Sequence, residues 1–332
     1  MLHKPTKGLQ LQGGVVITKG AFGGDRGSKL FRPGCGRGGS RGINLGRMQI
    51  PGQAPNTWAG PLEPGHAPWN LGTPPEEFIM SRPFVLAETN WNTVREVEYE
   101  VAILPWGATE AHNLHLPYGT DSLQSEAIAI EAAGRAWEAG ARCIVLPTIP
   151  FGANAQQVDI PHTLNLNPST QAFLLADLVE SLDAQRVPKL LILNGHGGND
   201  FRPMIRELQA KTDVFLCLVN WYTVLDNNLF FEDPGDHAGE METSLMLHLV
   251  PEQVLPLSEA GKGNARAFKL KGLRDGLAWA PRNWILVTSD TGVGDPGPAT
   301  GQKGAEFFGA LTRKIGEFIV ELAAADLDDL YE

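Results

Sequence analysis

From Met80 onward the apolar positions gather into short unbroken runs, and between them the hydrophobic period is helical. The runs are "VAIL" (101–104), "CIVLP" (143–147), "KLLILN" (189–194) and "VFLCLVN" (214–220). Apolarity that is continuous rather than alternating is what a parallel sheet demands, because its strands are covered on both faces. The intervening "DSLQSEAIAIEAAGRAWEAG", "NPSTQAFLLADLVESLDAQ" and "DFRPMIRELQAK" space their apolar residues as helices do. A further helix is expected from near Glu240 and a last one over about residues 304–325. This alternation, with short connections, predicts an α/β domain around a largely parallel sheet. No stretch of 80–332 reads as a linker, so it is taken as one domain.

Residues 1–79 have a different texture. They hold 17 of the 38 glycines and 9 of the 24 prolines and sustain no period. Such a composition buries too little apolar surface to offset its ordering entropy, which predicts a disordered Gly/Pro/Arg-rich extension. An RNA-binding arm of RGG type is a second reading, supported only by a few basic residues. The third, favoured by the abrupt change at Met80, is that Met80 opens the chain and the preceding segment is a gene-model artefact.

Charge divides the chain at the same place. Residues 1–79 carry nine Lys/Arg against four Asp/Glu, whereas 80–332 carry 18 against 34. An acidic domain disfavours nucleic acid and anionic membrane as partners. No apolar run is long enough to span a bilayer, and "MLHKPTKGLQ" lacks the apolar stretch of a secretory signal. Cys35, Cys143 and Cys217 form no CxxC pair or disulfide framework. A cytoplasmic enzyme acting on a small molecule is the expectation.

Candidate chemistry falls where such a fold would focus it. Glu110 and His112 directly follow the first run, in "PWGATEAHNLHLPYGTD", which ends on Asp121, and His196 directly follows the third, in "NGHGGND". Sites in open α/β sheets form beyond the carboxyl ends of the strands. A third cluster, "GDHAGEMETSLMLHLV", opens the helix at Glu240. Its two glutamates stand about 200° apart around the axis. Glu242 heads the stripe of Leu245, Met246 and Leu249, so it faces inward, whereas Glu240 reads as a surface or supporting residue. Plainer readings stand beside these. Asp121 would serve as a helix N-cap, His115 would bond a backbone carbonyl, and "GHGGN" would be a turn. His248 reads as an outward position.

Together the clusters favour a site, since four of the eight histidines fall in them. Carboxylates and imidazoles without thiolate suit Zn²⁺, Mn²⁺ or Fe²⁺. Glu110, His112, Asp121, His196 and Glu242 exceed what one catalytic zinc takes, so two ions sharing Asp121 is the simplest arrangement.

In order and spacing, "ATEAHNLHLPYGTD", "NGHGGN", "HAGEMETS" and "TGVGDPGPATGQKG", with "IPHTLNLNPST", resemble the signatures of the creatininase family over roughly residues 83–325. The resemblance implies a three-layer α/β/α fold, a homohexamer and a dinuclear manganese or zinc site. It implies Glu110, Asp121 and His196 on one ion, with His112 and Asp121 on the other. Creatininase itself has a glutamate where this chain has Gly198, and Glu242 is the choice to complete the second ion. His237 falls on the histidine that acts on substrate or moves protons, a role suited to a side chain titrating near pH 6.5. Trp221 falls on a tryptophan that would stack on a planar ring, and Gly197 would leave room for substrate. Asp233 stands where creatininase has a second tryptophan, and His162 where the family has a glycine. The implied activity is opening of a cyclic amide or related ring, with activated water attacking a carbonyl. The polar replacements suit a hydroxylated substrate equally, and family relatives also act on formamides and on a keto-inositol by carbon–carbon cleavage. The alternative from another class is a non-catalytic, metal-binding assembly protein.

Overall fold

A computed structural model describes residues 82–332 of the chain. The three readings of residues 1–79, Met80 included, lie outside the described residues. Four strands form one parallel sheet in the order β2-β1-β3-β4. They are β1 (Val101–Trp106), β2 (Cys143–Val145), β3 (Lys189–Asn194) and β4 (Phe215–Asn220). Five longer helices accompany them: α1 (Thr120–Glu138), α2 (Pro168–Ala184), α3 (Arg202–Gln209), α4 (Glu240–Leu249) and α5 (Gly301–Ala324). One-turn helices occur at Trp91–Val94, Lys271–Arg274 and Trp284–Val287.

The unbroken runs are explained by a core on each face of the sheet. Val101, Ile103, Leu191 and Leu193 pack with the apolar stripes of α1, α4 and α5. Their alternate neighbours Ala102, Leu104, Leu190 and Ile192 pack with Leu175 and Val179 of α2 and Met204 of α3. Because successive side chains point to opposite faces, a strand sandwiched this way is apolar at every position. The result is the three-layer α/β/α arrangement that the pattern and the resemblance imply.

The expected boundaries shift in ways that have local causes. β1 runs on through Pro105 to Trp106. A proline is tolerated there because β2 pairs only as far as Ile103↔Val145, so the missing N–H falls past the last rung. β2 is accordingly short, and Pro147 lies outside it. The final helix begins at Gly301 rather than 304, where Thr300 caps it by accepting from the Lys303 N–H at 3.2 Å. Gly304 lets α5 lie against α4, since a Cβ there would stand 1.9 Å from the Ser244 carbonyl oxygen.

β3 begins on a buried lysine. Lys189 sends its ammonium to the carbonyls of Ala323 and Ala325, each at 2.8 Å. Those carbonyls belong to the end of α5, where acceptors lack helical partners and the dipole favours a cation. Among the described residues no helix is long and apolar enough to cross a membrane.

Replacing Lys189 with Met keeps the stem and strands these acceptors. The expected outcome is a loss of about 1–3 kcal/mol in denaturant unfolding, with the native circular dichroism spectrum retained.

Candidate metal centre

Three connections converge beyond the carboxyl ends of the strands. The loop after β1 brings Glu110 and His112, and α1 follows with Asp121 in its first turn. The turn after β3 brings His196, the approach to α4 brings His237, and the first turn of α4 brings Glu242. The β1 loop folds back on α1 because residue 107 is glycine: a Cβ there would stand 2.5 Å from the Ser122 backbone nitrogen. Asp121 is not the N-cap, a position held by Gly119. Its carboxylate is directed into the cluster instead.

Each imidazole is fixed by one backbone carbonyl. His112 uses Nδ1 on the Glu110 carbonyl at 3.1 Å, His196 uses Nε2 on the Ala153 carbonyl at 3.2 Å, and His237 uses Nε2 on the Ala111 carbonyl at 2.8 Å. A carbonyl only accepts, so the proton sits on the nitrogen facing it and the other nitrogen is turned inward. The inward nitrogens meet carboxylates. His196 Nδ1 lies 2.9 Å from Glu110 Oε1 and 3.0 Å from Asp121 Oδ2. His112 Nε2 lies 3.0 Å from Asp121 Oδ1 and 3.9 Å from Glu242 Oε1. His237 Nδ1 lies 3.9 Å from Glu110 Oε1.

Two lone pairs facing each other repel unless a cation lies between them. Without metal the cluster answers by holding protons. Burial opposes a charge on His112, but Asp121, Glu242 and Glu110 outweigh it and push the imidazole up to about 10. His196 is likewise raised well above its ordinary value, against burial, by Glu110 and Asp121. Burial would raise Asp121, yet His112 and His196 hold it well below the usual carboxylate range. Glu110 is lowered against burial by His196 and His237. Glu242 is raised by its burial.

The donor set suits divalent metal, and its groups overlap. Glu110, Asp121 and His196 form one triad, and His112, Asp121 and Glu242 another, the donor atoms of each lying within 4.8 Å of one another. Asp121 Oδ2 is buried and accepts no hydrogen bond of acceptable geometry, a cost that a cation removes. A third triad, Glu110, His112 and His237, overlaps both.

The remaining expectations divide. Glu242 faces the cluster, and its other oxygen accepts from the Ala238 N–H. Glu240 is not at the surface. It is fully buried, accepts the N–H groups of Glu232 and Asp233 at 2.8 and 3.0 Å, and pairs with Lys303. That cation arrives from α5, some 60 residues on, which no local pattern announces. His115 bonds the Thr243 hydroxyl of α4 at 2.9 Å rather than a carbonyl, and burial and His112 push it down to about 4, so it is neutral. His248 is exposed, as expected.

A cavity of about 650 Å³ opens over the cluster, lined by Glu110, His196, Gly197 and His237 among others. Trp221 does not reach it. The ring is fully buried with Leu193, Phe231 and Phe307 in the core, so it offers no face to a substrate and the stacking role is corrected. Asp233 and His162 are exposed and lie outside the cavity wall. Asp233 gives its backbone N–H to Glu240, and His162 sits in a loop at a left-handed φ of 64°. The structure adds residues that sequence reasoning missed. Gln157 donates to Glu110 Oε2, and Trp284 stands edge-on to His237 with ring centres 5.3 Å apart. Gln157 lies in the polar loop just before "IPHT", a discoverable position. Trp284 comes from a segment without periodicity.

The profile of the Creatininase family, described as creatinine amidohydrolase, matches residues 87–319. The chain belongs to the creatininase family. A mycofactocin precursor peptide peptidase of Mycobacterium ulcerans is 30% identical over 218 residues, covering 63% of this chain and 80% of that protein. The crystal structure of a candidate creatinine amidohydrolase from Bacteroides fragilis is 44% identical, with a TM-score of 0.72, and covers 76% of this chain and all of that one. A manganese form of creatininase, 21% identical, shares the fold at a TM-score of 0.61 over 73% of this chain and 99% of its own. Family membership makes the chain a creatininase-family hydrolase with candidate metal-binding residues in place, and these relatives differ in the amides they are named for.

If Asp121 bridges two ions, Asp121→Ala empties both positions and Glu242→Ala empties one. Atomic emission on the purified proteins is expected to read about two, zero and one divalent ions per chain for the parent and the two variants. Equal metal content in all three would remove the bridge.

Proposed function

We propose that the chain is a dinuclear-metal amidohydrolase that cleaves the C–N bond of an amide entering the 650 Å³ cavity. The observation that carries this reading is the pair of triads sharing Asp121, of which Glu110 and His196 line the cavity. Glu110, Asp121 and His196 would hold one ion, and His112, Asp121 and Glu242 the other; the manganese form of creatininase supports manganese, with zinc as the alternative. Divalent metal there supplies Lewis acidity and an activated water at neutral pH.

The protein groups do the rest. Three backbone carbonyls fix the imidazoles, and Gln157 holds the outer oxygen of Glu110, so the donors are oriented before substrate arrives. His237 is the proton carrier. Its Nε2–H stays on the Ala111 carbonyl while Nδ1 faces the cavity beside Glu110, free to take a proton and return it to the departing nitrogen. Trp284 limits the ring's movement from the side. Gly197 has no atom within 4 Å of where a Cβ would stand, so substrate can lie close to the backbone there.

The cavity has the volume of a site for a molecule of drug size. Trp221 lies in the core, and of the tryptophans that line the cavity Trp284 stands edge-on to His237 while Trp279 is exposed at the rim. The volume favours an extended amide, such as a peptide end, over an isolated lactam. The name of the 30% identical mycobacterial relative supports the same choice. The cyclic amide expected from the sequence is the comparison substrate.

The test is turnover by the metal-loaded chain of N-acetylated dipeptides, creatinine and simple lactams, each followed by released amine. Cleavage of the linear amides in preference to the rings is expected, and no turnover of any amide by fully loaded protein would sink the reading. His237→Ala is expected to lower kcat by about 10²–10⁴-fold while metal content stays at the parent value.

A further inference from the structure

Beside the active-site cavity lies a second, smaller one of about 290 Å³, and its polar lining is cationic. Arg266, Arg274 and Arg282 converge on it, with Phe268 and Val287 as apolar walls. Arg282 lines both cavities. The residues between 262 and 282 carry six Lys/Arg and a single acid, Asp275, in a domain otherwise rich in acids. A basic island on an acidic protein, placed at the mouth of the site, focuses the field on approaching anions.

The three guanidiniums are engaged to different degrees. Arg282 pairs with Asp236 at 2.6 Å and lies 4.6 Å over the Trp284 ring, so its charge is matched and its plane is held. Arg274 donates to the carbonyls of Phe268 and Lys269, both at 3.0 Å, which orients it without cancelling its charge. The Arg266 guanidinium has no hydrogen bond or ion pair among the described residues. Arg266 and Arg274 therefore line one small cavity without a carboxylate partner among the described residues, and planar guanidinium forks suit an oxyanion. The ordinary alternative is a solvated basic face, but such a face does not converge on a cavity that shares a wall with the catalytic one.

We propose that this second cavity is the subsite for an anionic group of the substrate, a carboxylate, whose scissile amide lies over the metal centre. The inference rests on the amidohydrolase reading and names its substrate class: amides that carry an acid function beyond the bond that is cut. Trp279, 86% exposed at the rim of the larger cavity, is placed to cover the segment between the two ends.

The test is calorimetric binding to the full metal-loaded chain in the His237→Ala background, which prevents turnover. The probes are N-acetylglycylvaline, its carboxamide and an analogue ending in a phosphonate. The free acid is expected to bind about tenfold tighter than the carboxamide. Arg266→Glu is expected to reverse that preference, and Arg266→Lys to keep most of it, which separates charge from folding. Tightest binding by the phosphonate, lost in Arg266→Glu, would keep the subsite and assign it to phosphorylated substrates. Equal affinity for acid and carboxamide, or a preference that survives Arg266→Glu, would overturn the proposal. Metal content and amide turnover by the unsubstituted chain are read separately, so loss of charge preference with metal and turnover intact rejects the subsite alone. Charge preference without metal or turnover rejects the hydrolase alone.

Discussion

Three carboxylates buried together without compensation would unfold the edge of this sheet on which they sit. Desolvating even one such charge costs several kcal/mol, and Glu110, Asp121 and Glu242 are all within the protein. Their neutralisation is the constraint on which the surrounding structure depends. It explains why three imidazoles are each tied to a main-chain carbonyl, since that bond decides which nitrogen faces the acids. It also explains the glycine at 107, because the loop that carries Glu110 and His112 must close on the start of α1 to bring Asp121 within reach.

Stability and chemistry are linked through the same cluster. Protons on His112 and His196 balance the acids, and the same nitrogens would be free for coordination if divalent ions took over the charge. Metal binding is therefore expected to displace protons and to tighten the fold. Helix α4 is tied in from two sides. Glu242 belongs to the cluster, while Glu240, two residues earlier, is buried by a separate set of partners that includes Lys303 of α5. The helix is thereby held at its first turn, just after His237.

The strands, the longer helices and the main candidate ligands are legible because their causes are local. Burial on both faces makes every strand position apolar, so "KLLILN" announces β3 to the residue. Polar residues at strand ends follow from the geometry of parallel sheets, which is why Glu110, His112 and His196 stand out as candidate ligands from the chain alone. The inward stripe below Glu242 is a property of helical spacing and needed nothing beyond the chain. Trp221 failed for the opposite reason. A tryptophan after a strand can point to the core or to the cleft, and here it joins a core cluster that includes Phe231 and Phe307 from later in the chain.

The sequence by itself determined the α/β class, the edge of the sheet at which chemistry would gather and the residue types that would perform it. These follow from period, burial and donor chemistry, all of which act over a few residues. Tertiary structure decided which atoms share a partner. It turned His115 toward Thr243, drew Lys303 onto Glu240, buried Trp221 and laid Gln157 against Glu110. It also gathered Arg266, Arg274 and Arg282 around one cavity out of a segment with no regular pattern. Contacts between residues far apart in the chain have no period to betray them, and only packing of the finished fold brings them within bonding distance.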